Sequence, residues 1–332
     1  SLLLFTGHGF SELAMNSLPL SQQKPISNWK VASILFVCIS IWAVIILSVF
    51  YFRFNELKTT LLQQGKGYAA NLNTQLADSK ATLEGFSALF GTIGEVDPDT
   101  VRRYAQLITH DNTQIFSLEI ALKISEKELQ SLIHDMRLTY PNFTIKSFSY
   151  DTDREWGSIN KKDTYIPLVF IASSQKGTDD VIGLDLDSVP FLKDSVNESL
   201  VLHRPVASRP FNLVEGNRAF VVLNPIPKYF NAKAKIGYLI YEHELITDIV
   251  IDTEQLSKRT RIDLDHGESL TLYHTDFSSD DPKGNLFTLA GDPLSSYQTD
   301  VFPELVYEEL LLPFDGKFKV KIKHQLGWED LN

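Results

Sequence analysis

Tyr165–Ala172 (YIPLVFIA) and Val181–Asp187 (VIGLDLD), separated by the polar stretch Ser173–Asp180, decide the architecture of this chain. The first is the most apolar run of its water-soluble part, and the second is short enough to pair with it as the other arm of a hairpin. Upstream, Ile115–Lys123 (IFSLEIALK) and Thr144–Ser149 read as strands on either side of an amphipathic helix, Glu126–Tyr140, and another helix, Pro190–His203, leaves the unit. This order predicts a half-buried antiparallel sheet with its helices gathered on one side.

The same grammar repeats downstream. Arg218–Asn224 (RAFVVLN), Lys235–Tyr241 (KIGYLIY), Ile262–Asp265, Leu270–His274, Gly284–Ala290 and Lys317–His324 are strand candidates, with a helix over Glu244–Leu256. Two sheets of one type in tandem are expected.

Working back toward the N-terminus, Val31–Phe52 is a run of 22 residues without a charge, closed by Arg53. About 20 apolar residues at helical rise cross a hydrocarbon core, and a secretory signal core is shorter, about 7 to 15 residues. The run, 31–53, reads as a transmembrane helix in the lipid bilayer, with Trp29 and Tyr51 near its ends. Lys24 and Lys30 precede it while Arg53, Lys58 and Lys66 follow, so charge does not fix the orientation. Residues 1–30 form a polar leader, in which Ser1–Ala14 read as lying upstream of a natural start at Met15. Beyond the span a stalk helix is expected over 54–99, with Leu57, Leu61, Leu72, Leu76 and Leu83 near one stripe. The stripe serves either to pair with a twin in a homodimer or to pack on its own domain. Gly91–Gly94 and Asp97-Pro98-Asp99 break the pattern, with Asp97 or Asp99 placed to cap a helix over Thr100–His110.

The 332 residues carry a net charge of −11 and are 43% hydrophobic, enough for one anchor and two small domains. The acidic balance argues against nucleic acid. The one cysteine, Cys38, lies in the apolar run, which leaves the soluble part without thiol or disulfide chemistry. The eight histidines are scattered, and Tyr241-Glu242-His243-Glu244 lacks the second histidine at i+4 that a helical zinc site needs. Gly65-Lys66-Gly67 is too short for a phosphate loop, and there is no Gly-x-Ser-x-Gly elbow. The expectation is a non-enzymatic chain with no metal and no cofactor.

Five pieces of sequence occur in an order and spacing that resemble the CHASE domain, over roughly Thr100–Tyr241: Val101-Arg102-Arg103-Tyr104, Ile115-Phe116-Ser117-Leu118-Glu119, Tyr165-Ile166-Pro167-Leu168-Val169-Phe170, Gly183-Leu184-Asp185-Leu186-Asp187-Ser188-Val189-Pro190 and Ser208-Arg209-Pro210-Phe211-Asn212-Leu213. CHASE domains are extracytoplasmic sensor modules of bacterial histidine kinases, of diguanylate cyclases and phosphodiesterases, and of plant cytokinin receptors. The resemblance implies an α+β fold in which a transmembrane helix and long stalk helix lead into two tandem PAS-like antiparallel sheets with flanking helices. The membrane-distal half, 100–205, would hold a small-molecule ligand and 206–332 would form the membrane-proximal half. It also implies a periplasmic sensor on a bacterial inner membrane, cut before a second span and an output domain. A membrane-anchored hydrolase or solute-binding protein, and a purely dimerising module, are the competing readings.

By alignment, the acid that pairs with the adenine edge in cytokinin receptors falls at Ser173 here, and the glutamate of bacterial relatives at Ala172. The resemblance therefore implies a pocket neutral at both places, without charge-assisted bonds of about 1.5 to 3 kcal/mol each. Tyr165 of the Tyr-x-Pro strand, Leu118, Glu119, Phe170, Gly183 and Asp185 would line or flank the cavity, and Ser208 would supply a hydroxyl. Each has a plainer alternative. Leu118 and Phe170 serve equally as core, Gly183 as relief of backbone crowding, and Asp185 as the start of a helix cap. Glu119, between Leu118 and Ile120, faces solvent or reads a ligand.

Overall fold

The computed structural model describes residues 28–92, 95–150, 154–173, 178–226, 234–236, 239–241 and 244–331; most of the leader and the middle of the Ser173–Asp180 turn lie outside them. The chain divides into two compact units, Ser1–Asn55 and Glu56–Asn332. In the first, the apolar run is helical and none of its most apolar window is buried by the protein. Ser33, Ser40 and Ser48 hydrogen-bond the carbonyls of Trp29, Phe36 and Val44, four residues back, so their hydroxyls are satisfied without water.

That helix is α1, Asn28–Thr92. Within the second unit its Leu72, Leu76, Leu83, Phe86 and Phe90 are buried against the domain, so the leucine stripe packs on its own chain. α2 (Pro98–Asp111) starts with Pro98 in the first turn, and the Asp97 carboxylate accepts from Thr100 N at 3.0 Å. Around the short β1 (Glu95–Val96) and the long β2 (Ile115–Ser125) come α3 (Leu129–Arg137), β3 (Lys146–Phe148), β4 (Trp156–Ser158), β5 (Thr164–Tyr165), β6 (Leu168–Ser173) and α4 (Pro190–Leu202). β7 (Val206–Ala207), β8 (Phe211–Asn212), β9 (Arg218–Ile226), β10 (Ala234–Ile236), β11 (Leu239–Tyr241), β12 (Glu244–Asp252) and α5 (Thr253–Thr260) follow. The last strands are β13 (Glu268–His274), β14 (Asn285–Ala290), β15 (Glu304–Leu311) and β16 (Phe318–Gln325).

Two antiparallel sheets dominate, as expected. The first runs β5-β2-β12-β9-β7, with β6 also on β2 and β8 on β9. The second runs β14-β13-β16-β15. β12 is buried along nearly its whole length because β2 and β9 flank it and both sheet faces are covered. The first sheet takes strands from both sides of residue 205, since β2, β9 and β12 are directly paired; the break between sheets falls after Asp252.

Four local expectations are corrected. Glu244–Asp252 is a strand, with the helix confined to Thr253–Thr260, because five β-branched residues in ELITDIVID favour the sheet. Val181–Asp187 is no regular strand: it turns through Gly183 at φ +89° and meets its partners in isolated bridges, Lys146 with Leu184 and Pro167 with Asp185. Tyr165–Ala172 is interrupted at Ile166-Pro167, where proline has no N–H to give the ladder. Ile262–Asp265 forms no strand, whereas the unexpected β15 closes the second sheet.

Candidate functional site

The register of the first sheet sorts its side chains onto two faces. Glu119 stands opposite Asp248 and Ile171, while Ile120 stands opposite Thr247 and Phe170. The face carrying Thr247 receives α1, whose Ser87 Oγ lies 2.6 Å from Thr247 Oγ1. On the other face a cavity of about 40 Å³ opens against Leu192 of α4, Leu186 and Phe211, with Glu119, Asp248 and Tyr150 in its wall. Glu215, exposed, stands at its rim.

Two carboxyl groups are therefore buried side by side in an otherwise apolar wall. Asp248 is fully buried and neither of its oxygens meets an N–H or hydroxyl donor. Glu119 Oε1 accepts from Ser117 Oγ at 2.6 Å. Burial pushes the Glu119 carboxyl up to about 7, against the pull of the Ser117 bond. Burial and the neighbouring Glu119 together hold Asp248 well above the ordinary carboxylate range. Like charges this close do not both ionise at neutral pH, and the pair shares a proton. Tyr150 packs edge-on against Phe148, Phe191 and Phe211, and its hydroxyl is pushed up by burial and by Glu119. The nearby Arg154 directs its guanidinium at the carbonyl oxygens of Leu213 and Val214, tying down the loop that forms one wall.

Of the eight residues selected from the sequence, Glu119 lines this cavity. Leu118 and Phe170 point to the opposite face, where Arg102 of α2 lies 5.6 Å from the Phe170 ring centre. Tyr165 is buried and its hydroxyl accepts from Lys162 N. Ser173 Oγ donates to Phe116 O at 2.7 Å. Gly183 turns the chain between Val181 and Leu184, which do line the cavity. Asp185 is fully buried, accepts from Ile166 N and meets Lys162 Nζ at 2.5 Å, so it staples the Gly183 turn to the sheet. Ser208 Oγ accepts from Val221 N and donates to Arg209 O, completing the sheet where β7 leaves it.

Positions 172 and 173 carry no acid, as read from the sequence; the acids of this cavity stand on β2 and β12, and Ser173 lies on β6, the strand beside β2. Asp248, Tyr150 and Glu215 were missed. Reading Glu244–Leu256 as a helix hid Asp248, although an aspartate among β-branched residues carries the same signal that singled out Glu119.

The chain thus combines a helix long and apolar enough to cross a membrane with a domain whose central sheet bears a mostly apolar cavity holding two buried carboxyls. Residues 94–238 match the family model of the CHASE domain; this stretch is a CHASE domain, and its role is extracytoplasmic sensing. The match ends before β12, so Asp248 lies beyond it. No curated protein matches the chain in sequence. Among solved structures it is similar to an extracellular domain assigned as that of histidine kinase rpHK1S-Z16 (12% identity, 82% of this chain and 96% of that one, TM-score 0.49). It is also similar to an extracellular ligand binding receptor from Desulfohalobium retbaense DSM5692 (8% identity, 80% of this chain, TM-score 0.48), of whose length it spans 40%. A third is the ligand binding domain of the Pseudomonas aeruginosa PAO1 amino acid chemoreceptor PctC in complex with GABA (13% identity, 82% of this chain and 100% of that one, TM-score 0.42).

Proposed function

We propose that this chain is the periplasmic ligand-sensing region of a transmembrane receptor in a bacterial inner membrane, with a small molecule bound on the first sheet. The cavity on the sheet face opposite α1 carries this reading, because a ligand bound there would lie one sheet thickness from α1. In this reading the sheet ending at Asp252 is the membrane-distal sensor half and β13–β16 the proximal half. The receptor works as a homodimer through the face of α1 left free by the domain, where Leu62 is exposed. Its output domain is a histidine kinase or a cyclic-di-nucleotide enzyme. The ligand need only bind one of two packings better than the other, by a few kcal/mol.

The test is thermal unfolding of the chain in lipid nanodiscs against a panel of metabolites. A compound at 100 times its dissociation constant adds about 2.7 kcal/mol. At least one is expected to raise the midpoint in the native chain and not in Leu192→Trp, which fills the cavity. A panel without any shift that depends on the cavity would favour a dimerisation module instead.

A further inference from the structure

The chemistry of the cavity wall narrows the ligand class, and the inference rests on the sensing reading above. Asp248 is fully buried, lines the cavity and meets no N–H or hydroxyl donor on either oxygen, its polar neighbour being the Glu119 carboxyl with which it shares a proton. Leaving a buried carboxyl without donors is costly, and the structure offers it little relief. The ionisable groups facing the pair are Tyr150, the rim carboxylate Glu215 and Arg154. Arg154 is the one cation among them, and its guanidinium is committed to the Leu213 and Val214 carbonyls and lies 5.7 Å from the centre of the Phe148 ring. The remaining wall is apolar or aromatic, with Ile171, Leu186, Leu192 and Phe211 in it. An anion would meet three carboxyls there, and a neutral apolar molecule would leave Asp248 as it is.

We infer that this cavity takes a small organic cation, a primary ammonium on a short aliphatic body, whose N–H donors satisfy Asp248 and Glu119 together. Residues directly opposed on antiparallel strands have Cβ atoms about 5 Å apart, a span that one ammonium with three donors bridges. A water needs about 10–15 Å³, so the 40 Å³ present holds an ammonium head and little more. The aliphatic body lies toward the rim at Glu215. Binding exchanges one charge for another: the ammonium enters and the proton shared by the two carboxyls leaves to solvent.

The experiment uses the full chain in nanodiscs and the n-alkylammonium ions from methyl to hexyl, each beside the alcohol and the carboxylate of equal length. At least one ammonium is expected to raise the unfolding midpoint where its alcohol and carboxylate do not, and Asp248→Asn is expected to abolish the shift. Calorimetry in two buffers of different ionisation enthalpy should show proton release on binding, and affinity should fall at least tenfold from pH 8 to pH 6. An ammonium effect that survives both Asp248→Asn and Glu119→Gln would overturn the assignment, as would the absence of any ammonium effect. Stabilisation by an alcohol or carboxylate that Leu192→Trp removes would overturn the cation and leave the sensor standing. The asparagine variant keeps the shape of the site and removes one carboxyl of the buried pair, and its own midpoint reports that it folds.

Discussion

Replacing Glu119 by glutamine should make this domain more stable, and the gain should depend on pH. An unfolded glutamate titrates near 4.5, whereas in the folded chain the Glu119 carboxyl sits at about 7. A raised carboxyl means the folded state holds its proton more tightly. The penalty is therefore absent below pH 4.5, grows as pH rises, and is complete above about 7. The shift corresponds to about 3 kcal/mol, shared with Asp248 because the two titrate together. Glutamine removes that penalty, still accepts from Ser117, and turns its NH₂ toward an Asp248 that lacks a donor. For a unit of roughly 280 residues the unfolding entropy is about 0.6 kcal/mol/K, so the expected gain is about 5 °C. Thermal unfolding of both forms in nanodiscs from pH 5 to pH 8.5 would show the native midpoint falling with pH, the variant flatter, and the two meeting at the acid end. A variant no more stable than the native chain at pH 8, or one with the same slope, would refute the paired-carboxyl account.

Three further outcomes are expected. Gly183→Ala combines a left-handed φ with a Cβ that would lie 2.2 Å from Thr144 O, and should cost about 3 kcal/mol in chemical denaturation. Lys162→Met strips the cation from the fully buried Asp185 and should cost about 3–5 kcal/mol; adding Asp185→Asn should recover much of it, and a double variant as weak as the single one would speak against a charge effect. His324 is held protonated by its hydrogen bond to Glu268, with Asp330 on its other nitrogen. Its stabilisation is thus full below about pH 6.5 and fades as pH rises through the raised value. Comparing native and His324→Phe midpoints should show a gap at pH 6 that narrows by pH 9.

How far the sequence reveals these features follows from the reach of each signal. The anchor and α1 were legible because an uncharged run and a leucine stripe are local properties of one helix. α2 was legible from Asp97 and Pro98 alone. β2, β9 and β13 announced themselves as short apolar runs bounded by polar residues, but β12 did not, because a central strand buried on both faces loses the alternation that separates strand from helix. That loss propagated to the site. Glu119 was singled out as an acid in an apolar strand, yet its partner Asp248 lies well over a hundred residues on, in a segment read as a helix, and register alone brings them together. Leu118 and Phe170 face away from this cavity for a related reason: alternation says that neighbours diverge, and not which of the two faces holds a cavity.

The register that pairs the carboxyls also couples them to α1. Asp248 and Thr247 are neighbours on β12, so one points into the cavity and the other at the helix. Thr247 Oγ1 sits 2.6 Å from Ser87 Oγ; Asn224 Nδ2 reaches the same hydroxyl at 2.7 Å, and Ser87 itself bonds back to Leu83 O. A buried polar knot of this kind has few alternative arrangements, since each partner lost costs about 1–3 kcal/mol. A slide of β12 against α1 by an ångström or more breaks bonds at Ser87. In the proposed receptor, a ligand that pulls Asp248 toward the cavity would act on Thr247 as well, and through it on the Ser87 bonds of α1. The free energy available is the difference in ligand affinity between the two packings, which the exchange of a shared proton for an ammonium supplies at the carboxyl pair itself.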